Sequence, residues 1–326
     1  MTVLQRREFI TLLGGVAAWA LAARAQQPAI PAIGFLSSAV SGPGNLAFRK
    51  GLSHAGYVSG QNVIIEIREA KGRYDQLATL AADLVRRKVN VIVAAGGLVS
   101  ARAAIAATTT IPVLFIAGFD PVKLGLVSSF NRPGGNATGV SIYATELLAK
   151  RLELLRELLP RASRIALLIN ADNVVSEIEA DDMEMLARAD GLRLIIVKAN
   201  AATGFEGAFS AAATDRADAL LVSADPFFTI QRTRIVALAA RHRLPAAYPW
   251  LEYVEAGGLM SYGPILMDAY EEVGVYAGRI LQGERASDLP VQLPLRFELG
   301  INVGTAKALN LMVPRVTLLR ADHLVD

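Results

Sequence analysis

The chain has 326 residues, of which 53% are hydrophobic and 19% are charged, with a formal net charge of +3 at pH 7 and no cysteine. Without cysteine, neither a disulfide framework nor a lipid attached through a cysteine is available. No block of Lys and Arg is interleaved with aromatic residues, which argues against a nucleic-acid partner.

Residues 1–25 have the order of features of an export signal. Arg6 and Arg7 precede an apolar run over 12–21, which is shorter than the ~20 residues that a membrane-spanning helix needs. The small-x-small sequence Ala-Arg-Ala ends at Ala25, where signal peptidases cleave. We predict a signal peptide over 1–25. The arginine pair resembles a twin-arginine (Tat) leader, which exports folded proteins, with a Sec leader as the alternative.

Cleavage of this leader would change the charge of the chain. The leader carries three arginines and one glutamate, a net +2, so the rest of the chain carries +3 − 2, or about +1. The remaining ~300 residues are enough to bury two hydrophobic cores. We therefore expect a protein of the periplasm that does not span a membrane after the leader is removed.

Beyond the leader, short β-rich runs alternate with longer helical stretches, which is typical of a parallel sheet covered by helices on both faces. A first cycle predicts strands over 33–37, 63–68, 91–94, 113–116 and 139–142. Its predicted helices cover 45–55, 74–87 and 99–107. The strands at 91 and 113 are continuous apolar runs, as expected when both faces of a sheet are buried.

A second cycle of the same kind follows. It predicts strands over 165–170, 193–198 and 219–223 and helices over 145–159, 175–189 and 229–241. The pattern continues with a strand in 257–263, a helix from Pro264 to about 282, a connector over 283–295, a strand over 296–302 and a helix over 305–309.

Two such cycles predict an α/β protein with two doubly wound parallel-sheet lobes. The tail after the second cycle is explained if the chain recrosses between the lobes. We therefore predict lobe 1 from 26–141 plus about 260–288, and lobe 2 from 142–259 plus about 289–326.

Doubly wound sheets bind ligands beyond the carboxyl ends of their strands. In the first cycle these loops contain Ser37, Ser38, Gly97 and Asp120. Hydroxyls and free backbone N–H groups at helix N-termini suit a carboxylate ligand. The same residue types are also ordinary helix caps and turn formers, and this alternative stays open.

The corresponding loops of the second cycle contain Asn170 and Asp225. Asp225 is a candidate partner for a ligand ammonium. It is equally explained as an N-cap that precedes a proline at the first helical position. Tyr143 and Tyr248 are candidate aromatic residues of a cleft, although aromatic side chains with a polar tip are as common in ordinary cores.

Motifs of catalysis are missing from the sequence. It contains no G-x-G-x-x-G after a strand, no P-loop lysine motif and no G-x-S-x-G elbow. His54, His242 and His323 are isolated from one another and from clustered carboxylates. We predict no catalytic residue, no metal site and no cofactor.

Three sets of segments form a recognisable pattern. They are FDPVKLGLV at 119–127 with NRPGGNATGVS at 131–141, EAGGLMSYG at 255–263, and FELGIN at 297–302 with TAKAL at 305–309 and LRAD at 319–322. Together they resemble the ABC-transporter substrate-binding family related to tryptophan- and tyrosine-binding periplasmic proteins. The resemblance covers nearly the whole chain beyond the leader.

This resemblance implies a type I periplasmic-binding fold, with a cleft between two lobes and hinge strands that close on a ligand. Family members that bind amino acids hold them with loops that correspond here to Ser37, Ser38, Gly97, Asp120, Asn170 and Asp225. The sequence departs from the aromatic amino-acid binders at 96–98, where Gly-Gly-Leu replaces a turn that usually contains threonine. The resemblance therefore implies the role of the protein but not its ligand.

We predict a monomeric periplasmic solute-binding component of an ABC importer, which binds an amino acid or a related carboxylate and delivers it to the transmembrane subunits of an ABC permease. One alternative is an exported α/β enzyme that uses Asp120 or Asp225 as an acid or base, although the sequence offers no convincing catalytic pair. Another is a sensing subunit that reports ligand occupancy to a membrane receptor, which the same fold would support.

Overall fold

The first sheet of the protein has five parallel strands in the order β2-β1-β3-β4-β5. They are β1 (Ala32–Ser37), β2 (Ile64–Glu69), β3 (Val91–Ala95), β4 (Val113–Ala117) and β5 (Ala137–Ser141). The computed structural model describes residues 30–40 and 42–326, so the predicted signal peptide over 1–25 lies outside the described residues. Each predicted strand of the first cycle is present, within two residues at either end.

Helices cover this sheet as the sequence predicts. They are α1 (Gly42–His54), α2 (Leu77–Arg86), which follows a 3-10 turn (Tyr74–Gln76), and α3 (Leu98–Ala107). All residues of β3 and β4 are buried, which explains their continuous apolar sequences.

The second sheet has seven strands in the order β12-β11-β10-β9-β8-β6-β7. They are β6 (Arg164–Ile169), β7 (Arg193–Lys198), β8 (Ala219–Val222), β9 (Ala246–Tyr248), β10 (Met260–Pro264), β11 (Phe297–Asn302) and β12 (His323–Val325). The helices that follow the first sheet are α4 (Leu147–Leu158), α5 (Ser176–Ala189), α6 (Gly204–Thr214), α7 (Pro226–Ile230), α8 (Arg232–Arg241), α9 (Leu251–Glu255), α10 (Leu266–Leu281), α11 (Val303–Ala308) and α12 (Arg315–Arg320).

One strand pair departs from the expected parallel arrangement. β11 runs antiparallel to β10, with Phe297 opposite Pro264 and Ile301 opposite Met260. The chain re-enters the sheet beside the carboxyl end of β10, so β11 has to run in the opposite direction. A parallel strand would need a connection that returns to the amino end of β10.

Several elements were not predicted. α6 lies between β7 and β8, and α12 and β12 follow the last predicted helix. The predicted helix over 229–241 is two helices, α7 and α8, which meet at Gln231. The signal for α6 is present in the sequence, because Phe205, Phe209 and Ala212 recur at helical spacing and are buried.

α10 packs against α1 although β10, which precedes it, belongs to the second sheet. Glycines permit the close approach of the two helices: a Cβ at Gly51 would lie 1.8 Å from the carbonyl oxygen of Glu271, and a Cβ at Gly274 would lie 2.2 Å from that of Phe48. The crossing between the sheets therefore follows Pro264, whereas the predicted division placed it near residue 260. Within the described ranges, no helix is both long and apolar enough to cross a membrane.

Candidate ligand-binding site

A cavity of about 350 Å³ lies between loops at the carboxyl ends of both sheets. This volume is at the lower end of the ~300–1,000 Å³ range of small-molecule pockets. The first sheet contributes the segment after β1, with Gly42 and Gly44, and the segment after β3, with Gly96 and Gly97. The second contributes the segments after β6 and β8, with Asn173 and Asp225 among them.

Long helices begin at this cavity. The lining includes the first or N-terminal flanking residues of α1, α3, α5 and α10, namely Gly42, Leu98, Val175 and Leu266. Helix N-termini present free N–H groups and the positive end of the helix dipole. The convergence of several such ends suits a ligand with a carboxylate group.

Much of the remaining cavity wall is apolar and partly aromatic. These residues are Val40, Phe119, Ile142, Pro226, Ile230, Trp250, Met267 and Tyr270. Such a wall suits a ligand with a sizeable apolar part. In the described lining, Arg232 is the only basic residue, and the acidic residues are Glu179, Asp225 and Glu252.

Asp225 lies at the cavity wall with 1% of its surface exposed, and its carboxylate accepts hydrogen bonds from several protein groups. It caps α7 by accepting from the N–H groups of Phe227 and Phe228, at 2.9 and 3.2 Å. The side-chain amides of Asn170 and Asn173 donate to it at 3.0 and 2.8 Å. The N-cap that the sequence left as an alternative is therefore present.

Tyr74 reaches Asp225 from the segment after β2. Its hydroxyl lies 3.2 Å from both carboxylate oxygens and accepts a hydrogen bond of 3.3 Å from the N–H of Phe227. The ring of Phe227 lies against Gly72. These contacts join the loops of the two sheets at one side of the cavity. Burial, together with the nearby Asp225 charge, raises the pKa of Tyr74, so its hydroxyl remains a donor.

The predicted residues of the first sheet have different positions. Gly97 lines the cavity with φ 86°, in the left-handed region that favours glycine, and a Cβ there would lie 3.8 Å from Pro226 across the cavity. Ser38 lies behind it and donates to the carbonyl of Gly96 at 2.7 Å. Ser37 is buried, and its hydroxyl accepts from the N–H of Ala39 at 3.2 Å.

Two other predicted residues, Asp120 and Tyr143, are partly exposed and are not among the residues that line the cavity. Asp120 accepts from the N–H groups of Val122 and Lys123, which fixes the turn after β4. Tyr143 has φ 49° in the segment after β5, and its ring stacks on Phe130. Burial raises the pKa of Tyr143, with the Asp120 and Glu146 charges adding to it.

Tyr248 and Asn170 also lie behind the lining. Tyr248 is buried at the end of β9, where its ring stacks on Tyr253 with 4.9 Å between centroids. Asn170 is buried and orients Asp225 through the hydrogen bond described above.

Sequence reasoning missed a buried charged group at the cavity. Glu179 on α5 lines the cavity with 6% of its surface exposed, and it accepts a hydrogen bond from the hydroxyl of Ser223. Arg151 on α4 is buried and donates to the carbonyls of Ala144 and Val222. Burial lowers the pKa of Arg151 to about 10, and the Glu179 charge opposes this shift.

Comparison with known proteins identifies the family. The family model of ABC transporter substrate-binding proteins matches residues 36–325. The chain belongs to this family. A tyrosine-binding protein of Clostridioides difficile (strain R20291) is 30% identical over 268 residues, which cover 81% of this chain and 75% of that relative.

Solved structures share the fold of this substrate-binding protein. The ABC domain of a Streptococcus pneumoniae protein in complex with L-Trp has a TM-score of 0.80 and 24% identity, covering 91% of this chain and 100% of the other. The ligand-free, open structure of a substrate-binding protein with adhesive properties from Clostridium difficile has a TM-score of 0.65 and 25% identity, covering 91% and 99%.

These comparisons support the two-sheet fold expected from the sequence, which is that of type I periplasmic binding proteins. The family and the relatives are substrate-binding proteins rather than enzymes. The chain is accordingly a substrate-binding protein of an ABC transporter.

Proposed function

We propose that this protein is the periplasmic solute-binding component of an ABC importer, and that it holds an amino acid or a related carboxylate in the cavity between its two sheets. The observation that carries the proposal is the cavity itself, where helix N-termini from both halves of the chain converge beside an apolar wall. The helix ends would bind the carboxylate, and the wall would cover the apolar part of the ligand.

The names of the relatives support an amino-acid ligand. One is a tyrosine-binding protein and another was solved with L-Trp. Phe119, Trp250 and Tyr270 give the cavity aromatic surface of the kind that packs against a large apolar or aromatic side chain. L-Tyrosine, L-tryptophan and L-leucine are therefore the first ligands to test.

The direct contact between the two halves supports binding by closure. Tyr74 and Asp225 join the loops on either side of the cavity, and this contact fits a closed cleft. A ligand that contacts both halves would favour this state over an open one.

Export and delivery complete the proposal. The signal peptide over 1–25, with its twin-arginine pair, would bring the protein to the periplasm, where it would pass its ligand as a monomer to the transmembrane subunits of an ABC permease.

Of the residues expected at the ligand, Gly97 and Asp225 line the cavity. We propose that Ser37, Ser38, Asp120, Asn170, Tyr143 and Tyr248 hold the cavity loops in place.

The first test is ligand binding by the exported, leader-free protein. Native mass spectrometry would detect a ligand that co-purifies, and thermal-shift screening would compare amino acids with other small carboxylates. A ligand that binds the folded state at 100 times its Kd adds about 2.7 kcal/mol to the free energy of unfolding. We expect a clear rise in Tm with at least one apolar amino acid, together with reduced uptake of that solute when the gene is deleted.

Two results would contradict the proposal. Turnover of a screened compound by the purified protein would point to an enzyme. Binding with unchanged uptake in the deletion strain would point instead to a sensing subunit.

A further inference from the structure

Glu179 has the features of a ligand-recognition group. It is almost fully buried on α5, yet its side chain lines the cavity. One oxygen, Oε2, accepts the hydrogen bond from Ser223. Within the described part of the chain, no hydrogen bond or ion pair reaches the other oxygen, Oε1. Oε1 is also absent from the fully buried side-chain atoms of the described residues that have no partner, so it is accessible from the cavity and can accept from a ligand donor.

Asp225 differs from Glu179 in this respect. Its two oxygens accept from side chains of three residues and from two backbone N–H groups. Those donors belong to the protein, so a ligand N–H group would have to displace one of them. Of the two buried carboxylates at the cavity, Glu179 is the one that can accept from a ligand without such an exchange.

The charges that face Glu179 come from several elements. Arg151 on α4 attracts it, whereas Glu146, at the N-terminal end of α4, and Asp225 repel it. Arg232 and Glu252 also line the cavity. Arg151 is buried and is bonded to backbone carbonyls, and no ion pair of 4.0 Å or less joins it to Glu179 in the described structure. The negative charge of Glu179 is thus only partly compensated.

We infer that Glu179 binds a positively charged N–H donor of the ligand, the ammonium group of an amino acid, and that the protein therefore selects amino acids over carboxylates that lack an amine. This inference rests on the proposed function and narrows its ligand class. Ser223 orients the carboxylate, the helix N-termini bind the ligand's carboxylate, and the apolar wall covers its side chain.

A pH dependence follows from the position of Glu179. Burial raises the pKa of Glu179 to about 7, with the Ser223 hydrogen bond and the Arg151 charge opposing the rise. An ammonium group binds the ionised carboxylate more strongly than the neutral acid. The affinity for amino acids should therefore increase as the pH rises from about 6 to 8, as the carboxyl loses its proton.

The test compares matched probes on matched variants. The probes are L-tryptophan, L-tyrosine, and the same two molecules without the amine, 3-(indol-3-yl)propanoate and 3-(4-hydroxyphenyl)propanoate. The variants are wild type, Glu179→Gln and Glu177→Gln, the last of which removes an exposed carboxylate from the first turn of the same helix. Calorimetry gives each Kd at several pH values, and circular dichroism checks that each variant is folded.

We expect Glu179→Gln to weaken the binding of an amino-acid probe by about 10- to 100-fold, the range of a hydrogen bond to a charged group. Its Kd for the amine-free acid should change much less, and the pH dependence should flatten. Glu177→Gln should behave like wild type. Because selectivity is a ratio within one variant, a general loss of stability does not imitate this result.

The outcomes separate this inference from the proposed function. If wild type binds an amino acid and Glu179→Gln keeps both its affinity and its selectivity, the role of Glu179 is refuted and the binding function stands. If wild type binds the amine-free acids as tightly as the amino acids, the inferred ligand class is wrong. If wild type binds no amino acid and no other carboxylate in the screen, the proposed function itself fails.

Discussion

At the scale of single residues, two buried carboxylates at the cavity, those of Asp225 and Glu179, differ in their hydrogen-bond partners. Asp225 is bonded by Tyr74, Asn170 and Asn173 as well as by the start of α7. Through these hydrogen bonds the carboxylate of Asp225 holds loops of both sheets together. Glu179 accepts from one side chain and faces the cavity. Partner groups rather than residue type thus decide which acid is structural and which is open to a ligand.

Replacing Tyr74 by Phe should weaken ligand binding without unfolding the protein. The variant loses the hydrogen bond to Asp225 that joins the two halves, while the other donors to Asp225 remain. Water can replace the lost donor when the cleft is open. The free energy of ligand binding should therefore become less favourable by about 1 kcal/mol, which raises Kd about fivefold. Calorimetry with the best ligand of the screen would measure this change.

Tyr57→Phe is the matched control, because Tyr57 follows the end of α1 that lies away from the cavity. It should leave Kd unchanged. Equal affinities for Tyr74→Phe and wild type would show that the contact between Tyr74 and Asp225 contributes nothing to the closed state.

The sequence allowed only part of this site to be predicted. The Asp-Pro pattern at 225–226 correctly indicated an N-cap, but the partners of Asp225 lie as far away in the chain as Tyr74. Glu179 lies in the sequence SEIEADDMEM, where neighbouring acids are exposed and its own burial is not apparent. Burial here depends on which face of α5 packs toward Ser223, and this is decided by tertiary contacts.

At the scale of elements, the packing of α10 against α1 determines where the chain crosses from the second sheet back to the first half of the molecule. α10 begins two residues after β10 ends, yet it packs on the first half of the molecule. The approach is close because Gly51 and Gly274 present no side chain at the contact. Leu266 and Met267, at the start of α10, consequently lie at the cavity wall.

Replacing Gly274 by Ala should destabilise the protein by about 1–3 kcal/mol, the usual cost of overpacking. The new methyl group would lie 2.2 Å from the carbonyl oxygen of Phe48 and 2.7 Å from the N of Leu52, so the two helices would have to separate. Urea denaturation followed by circular dichroism gives the free energy of unfolding.

Gly207→Ala on α6 provides the control, since Gly207 is exposed and helical and has open space around its missing side chain. It should be neutral or stabilise by up to about 1 kcal/mol, because alanine favours the helix. If both substitutions had the same effect, close packing of α1 and α10 would not explain the glycine at 274.

At the scale of the whole molecule, the segments that connect the two sheets line part of the cavity. Ile142, Ala144 and Thr145 line it in the segment from β5 to α4, and Leu266 lines it just after the crossing from β10. The joining segments and the binding site are therefore adjacent. A change in the angle between the two halves would alter the cavity directly.

Ligand binding should make the protein more compact. A ligand that contacts both halves stabilises the closed state, so small-angle scattering should show a smaller radius of gyration at saturation than without ligand. Tyr74→Phe should show at least as large a difference, because its ligand-free form has lost a contact that favours closure. An unchanged radius of gyration in a protein that binds ligand would exclude closure as the response to binding.

The sequence by itself determined the alternation of strands and helices, the buried character of β3 and β4, and the segments that resemble the family. These features depend on residues close together in the chain, whose periodicity and turn chemistry are local. The tertiary structure alone decided the antiparallel direction of β11, the contact between Tyr74 and Asp225, and the position of Glu179 at the cavity. Each depends on packing between distant segments, and Tyr74 and Asp225 are 151 residues apart.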